Sequence, residues 1–238
     1  MAKLKVPSAQ HLARNWEGTP DKVRKGLVKL VRNPPTFSYQ PLFGYVRDML
    51  LWGVSEQQIE TAIRTKIKRE NVQDLYLELL PLISSHFLGD RPKYVMAVDR
   101  RYYAAGRGLM VPFDPPIIYG GADGMVFPWF SFWKSNPLSG ERLSLFVTIV
   151  KEILCDDPDL ESANFQILDF SAPKGSVERK LSIINSNDVP ILSSARKQDM
   201  LEVFAEGYFA ALDELRNDPV ADVKEAPIVG PDQLKLFD

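Results

Sequence analysis

Apolar residues recur at helical spacing through the first ninety positions. In TPDKVRKGLVKLVRN, Val23, Leu27, Leu30 and Val31 share one face, Thr19 stands where a cap is expected and Pro20 falls at the first helical position. YVRDMLLWGVSEQQIETAIRTKIKRE predicts two helices around the turn WGVS, and Ser55 with Gln58 has the spacing of a capping box. A third helix follows in NVQDLYLELLPLISSHF, where Leu75, Leu79, Leu82 and Ile83 align and His86 reads as a structural residue.

From residue 93 the period changes. KYVMAVDRRYYAA, GLMVPFDPPIIYGG and DGMVFPWFSFWKS are β-rich and aromatic, separated by Gly and Pro, and predict three strands. LSGERLSLFVTIVKEIL returns to helix, with Ser139 as its cap and Leu143, Phe146, Val147, Val150 and Ile153 on its apolar face. ANFQILDFSA predicts a buried strand and ERKLSIINS another. SSARKQDMLEVFAEGYFAALDEL predicts a last helix aligning Leu201, Phe204, Tyr208, Ala211 and Leu215. The expectation is an α+β chain in three parts: a basic helical lobe (1–90), a mixed sheet flanked by helices (91–216), and a flexible linker with a tail (217–238). In the linker, RNDPVADVKEAPIVGPD breaks every helix and strand pattern with three prolines, a glycine and several acids.

Composition adds limits. With 238 residues, 45% of them hydrophobic, the chain can bury a substantial core. Its single cysteine, Cys155, excludes an internal disulfide and fits a reducing compartment. The first residues lack the apolar run of a signal peptide and no stretch of membrane-spanning length is apolar, so a cytoplasmic chain without a membrane partner is expected. Two histidines and one cysteine argue against a zinc site, and neither a Walker loop nor a GxGxxG is present. The net charge of −2 conceals an asymmetry: residues 1–70 carry +7 and the remainder −9. A basic front on an acidic body suits an anionic partner.

The front has two basic clusters. Lys22, Lys25, Lys29 and Arg32 fall at i, i+3, i+7 and i+10, one cationic helix face suited to backbone phosphates or simply to solvent. Arg64, Lys66, Lys68 and Arg69 end the helix after WGVS, in an arrangement similar to a helix-turn-helix and equally to a packing hairpin. Trp129, Phe130, Phe132 and Trp133 in FPWFSFWKS suit a strand packed on both faces, or a base-stacking platform. In DFSAPKGSVERK, Asp169, Lys174, Arg179 and Lys180 suit phosphate binding, or a hairpin with an exposed basic loop.

The order of helices, three strands, helix, one or two strands and helix over residues 72–215 resembles the PD-(D/E)XK nucleases, whose core runs αβββαβ, and within them the RecB-like branch. FSFWKSNPLSGERLSLF resembles the family's layout of a strand ending on the catalytic lysine, a polar loop, and a helix bearing a Gln-x-x-x-Tyr element. The resemblance makes Lys134 the lysine and Asp114 or Asp123 the preceding acid, and sets Arg142 and Phe146 at the two helix positions. It also implies Mg²⁺ held by carboxylates. The chain departs from the motif at Phe132, where the family has Glu or Asp two residues before the lysine, and at both helix positions. A migrated acid, Glu78 or Glu141, could restore a ligand. Without one, the resemblance implies a nuclease-like body with neither metal nor catalysis.

Near its end the sequence runs Gln233, Leu234, Lys235, Leu236 and Phe237, followed by Asp238. This resembles the bacterial sliding-clamp-binding peptide, Gln-Leu-x-Leu-Phe, at all four specified positions. In such peptides Leu236 and Phe237 would fill an apolar pocket as paired anchors, with Gln233 hydrogen-bonding at its rim. The combined expectation is a non-catalytic, nucleoid-associated accessory protein of DNA replication or repair, with the sliding clamp and DNA as partners. Its alternatives are an Mg²⁺-dependent nuclease recruited by the same tail and a protein–protein adaptor unrelated to DNA.

Overall fold

The computed structural model describes residues 4–89, 92–122 and 124–217. Asp123 and the tail residues Gln233, Leu234, Leu236 and Phe237 lie outside the described residues. Five helices come first: α1 (Ala9–Asn15), α2 (Pro20–Arg32), α3 (Gln40–Trp52), α4 (Glu56–Lys66) and α5 (Glu70–Gly89). Five strands follow: β1 (Val95–Met96), β2 (Arg101–Ala104), β3 (Met110–Phe113), β4 (Ile118–Gly121) and β5 (Gly124–Ser131). α6 (Glu141–Cys155), β6 (Asn164–Asp169), β7 (Ser182–Asn185) and α7 (Ser194–Asn217) complete an α+β chain with a mixed sheet. Among the described residues no helix is long and apolar enough to cross a membrane.

Local chemistry sets several boundaries. Ser55 and Gln58 form the expected capping box: the Gln58 N–H donates to Ser55 Oγ (3.3 Å) and the Ser55 N–H to Gln58 Oε1 (2.9 Å). α3 stops at Gly53, whose φ of +64° is the left-handed conformation that glycine adopts without a Cβ clash. Two caps differ from expectation. Thr19 precedes Pro20 at the head of α2 but makes no side-chain cap bond, and Gly140, rather than Ser139, occupies the N-cap position of α6.

The main sheet has the order β1-β4-β5-β6-β7. Only β5 and β6 run parallel, and α6 makes the crossover that a parallel pair requires. β2 and β3 pair with each other as a separate antiparallel hairpin. The three expected strands are therefore five. Pro115 and Pro116 divide β3 from β4, because proline has no N–H to give a ladder. β5 ends at Ser131, so Lys134 stands exposed in the connection to α6 and does not end a strand.

Alternation along the central strands builds two cores. Phe127, Trp129, Phe165 and Ile167 face α1, α2, α6, α7 and the β2–β3 hairpin. Val126, Phe130, Leu168 and Phe170 face α3, α4 and α5. A sheet buried on both faces needs apolar residues at every position, which is why DGMVFPWFSFWKS lacks polar alternation. Helices from residues 1–90 thus cover both faces of the sheet. α2 lies unusually close to α7, because a Cβ at Gly207 would stand 2.6 Å from the Pro20 carbonyl oxygen and 2.6 Å from Val23 Cβ.

Candidate functional site

At the C-terminal end of β5 the sheet opens into a crevice of about 580 Å³, bounded by α1 on one side and the first half of α3 on the other. The carboxyl end of a parallel strand is where open α/β sheets bind ligands, and this volume lies in the range of small-molecule sites. Its aromatic wall includes Tyr39, Phe43, Trp129, Phe132 and Trp133. Phe43 and Phe132 approach to 5.0 Å between centroids, and Trp133 and His11 meet in an edge-to-face arrangement at 5.8 Å. Arg14 lies over the Trp133 ring at 5.0 Å.

Ion pairs dominate the neighbourhood of the expected nuclease site. Asp114 reaches the crevice wall, but Arg100 holds both its oxygens, Nε donating at 2.8 Å and Nη2 lying at 2.6 Å. Hydrogen bonding to Asp114, then to Tyr102, raises the Arg100 pKa. Lys134 does not line the crevice, and the Phe132 ring, 3% exposed, is packed into the core beside α3. Glu78 accepts a hydrogen bond from Arg179 (3.1 Å), and Glu141 accepts two from Arg196 (2.7 and 2.8 Å). The Arg196 hydrogen bonds hold the Glu141 pKa below the usual carboxylate value. Of the two expected helix positions, Arg142 fastens the α1–α2 connection through the Trp16 carbonyl and Glu17, and Phe146 is core. Among the described residues no group of His, Cys, Asp or Glu is placed to hold a metal ion.

No family model, curated protein or solved structure matches the chain.

The basic candidates divide by their partners. Lys22 and Lys29 are exposed on α2 and have no ion-pair partner among the described residues, whereas Lys25 pairs with Asp21 (2.7 Å) and Arg32 with Glu214 (3.4 Å). Near the end of α4, Arg64 pairs with Glu60 (2.8 Å) and Arg69 donates to the Thr36 carbonyl (2.6 Å), while Lys66 and Lys68 are exposed. Arg179 is not part of an exposed basic loop. Its guanidinium is fully buried and donates to the Phe132, Trp133 and Phe170 carbonyls, besides Glu78 and the Tyr39 hydroxyl. Lys174 and Lys180 are exposed, as expected of that loop. Asp169 is buried and accepts from Asn136 Nδ2, the Ser171 N–H and Ser171 Oγ, which ties the loop after β5 to the end of β6.

The pattern of apolar residues pointed to the aromatic wall but not to Gln10, His11, Arg47, Arg100 or Ser131. α1 is only seven residues long, too short for periodicity to mark its buried face. Burial, and secondarily the charge of Arg14, lowers the His11 pKa from 6.5 to about 4. The unfolded chain therefore takes up this proton first as pH falls. Stability from neutral His11 is complete above about pH 6.5 and drains away towards pH 4, by at most about 3 kcal/mol. Urea unfolding at neutral pH and near pH 4.5 should show a smaller acid loss in His11→Gln than in the parent; equal losses would mean that His11 does not titrate this way.

Proposed function

We propose that this protein is a DNA-associated accessory factor without nuclease chemistry, recruited to the bacterial sliding clamp by residues 233–237. The peptide QLKLF carries the reading, since it agrees with the clamp-binding pattern at every specified position and follows a segment poor in structure-forming residues. The body supports its second half. With β2–β3 treated as an insertion, the order α5, β1, β4, β5, α6, β6 reads αβββαβ, in keeping with a nuclease-like core. Asp114, Glu78 and Glu141 are each engaged by an arginine, and Phe132 fills with an aromatic ring the place where the family has an acid.

Purified clamp should retain the full chain and fail to retain one lacking its last six residues, with the melting temperature unchanged. A large fall in melting temperature on truncation would instead mean that Leu234, Leu236 and Phe237 pack on the protein's own surface, and would defeat the recruitment reading.

The same reading gives α2 a role in touching phosphates. Lys22→Glu combined with Lys29→Glu should weaken binding to duplex DNA and lower the slope of log affinity against log salt, by about 2 for the two lost contacts. These two are chosen because neither is occupied by an acid among the described residues. DNA affinity insensitive to salt and to both substitutions would remove α2 from the interface.

A further inference from the structure

The crevice at the end of β5 contains an imbalance that its aromatic packing does not explain. Among the described residues Gln10 Oε1, Trp129 Nε1 and Ser131 Oγ are buried without hydrogen-bond partners, and all three residues line this one crevice. They come from two elements, α1 and β5, and are 8%, 6% and 2% exposed. An unpaired buried polar atom costs about 1–3 kcal/mol, so three around one opening are a concentrated local penalty. Their chemistry is mixed: one carbonyl acceptor, one N–H donor, and one hydroxyl able to do either.

Three properties narrow the ligand. The rings of Phe43, Trp129 and Trp133 on the walls favour a flat, polarisable body. The donor, the acceptor and the hydroxyl match the edge of a nitrogen heterocycle, and a hydrocarbon would leave all three unpaired. At the rim, Arg47 is exposed and has no partner among the described residues, while Arg100 already neutralises Asp114. His11 is held neutral at physiological pH, so the wall carries one surplus positive charge from these groups. A nucleotide combines these properties: a flat heterocycle, a hydrogen-bonding edge and an attached anion.

We infer that this crevice is a nucleotide-binding site: the base enters between the aromatic walls towards Gln10 and Ser131, and the phosphate meets Arg47. The site is independent of clamp recruitment and of the lysines on α2. It accepts either a free mononucleotide or the terminal nucleotide of a single strand.

Tryptophan fluorescence titrations on the full chain can test this with dAMP, dTMP, their nucleosides and a short oligothymidylate. Saturable mononucleotide binding is expected. Arg47→Ala should weaken it about tenfold while leaving nucleoside binding unchanged, as expected for loss of a charge-assisted phosphate contact. Ser131→Ala should weaken nucleotide and nucleoside alike, about fivefold, without lowering the melting temperature, because the hydroxyl has no partner to lose among the described residues. Lys22→Glu with Lys29→Glu should leave mononucleotide binding intact, which separates this site from DNA contact through α2. An oligonucleotide that binds at least tenfold tighter than dTMP, with Arg47→Ala removing the gain, assigns the site to a strand terminus; equal or weaker binding assigns it to the free nucleotide. No saturable binding of any probe at millimolar concentration, or binding unaffected by both Arg47→Ala and Ser131→Ala, overturns the inference.

Discussion

Arg179→Met should lower stability by about 3–5 kcal/mol. The guanidinium is completely enclosed and donates to three main-chain carbonyls, a carboxylate and a phenol oxygen. Methionine fills much the same volume and donates nothing, so the carbonyls of Phe132, Trp133 and Phe170 lose their partner without gaining water. For a chain of this size the melting temperature should fall by about 6–20 °C. Arg179→Lys keeps the charge but not the planar fork, and should recover only part of the loss. Glu78→Gln should cost far less, because the Glu78 side chain is 39% exposed and water can replace its partner. A loss below about 1 kcal/mol for Arg179→Met would show that the loop before β7 is not fastened through this residue.

The second large effect belongs to the tail. Replacing Leu236 and Phe237 together with alanine should weaken clamp binding by at least about a hundredfold, since each large apolar side chain contributes roughly 1.5–3 kcal/mol on burial and 1.4 kcal/mol is a factor of ten. Lys235→Ala should change little, because the pattern leaves that position open. Gln233→Ala should fall between, through loss of one rim hydrogen bond. Calorimetric titration of clamp with the full chain measures all three. Equal affinities for parent and double variant would exclude residues 233–237 as the anchor.

Helices were the most legible part of the chain. Val23 and Leu27 on α2, the Ser55–Gln58 box and the face of α7 all declare themselves through local spacing, although core packing is what holds α2 against α7. The strands were legible as β-rich segments but not in number. β1 is two residues long, and β2–β3 leaves the main sheet altogether, a choice made by packing rather than by residue period. The ion pairs around the crevice were invisible for the same reason. Arg179 and Glu78 are 101 residues apart, and only the folded chain joins them. Flanked by exposed Lys174, Glu178 and Lys180, Arg179 has a loop residue's sequence context and a core residue's surroundings. Gln10 and Ser131 carried no signal, because a single polar residue in a buried stretch reveals its missing partner only in three dimensions.

Near the end of α7, Glu214 is bound by both Arg24 and Arg32 of α2. That clasp fixes the last turns of α7 beside the cationic helix. Residues 218–232 separate this point from Gln233, and fifteen residues reach at most about 50 Å when fully stretched. On the proposed recruitment, the clasp and the limited span of fifteen residues together keep Lys22 and Lys29 within a small volume around the ring. Within it, a phosphate contact too weak to matter in free solution becomes an encounter repeated at high local concentration. Doubling the number of intervening residues would thin that concentration, and an α7 ending on the far side of the fold would use up much of their reach.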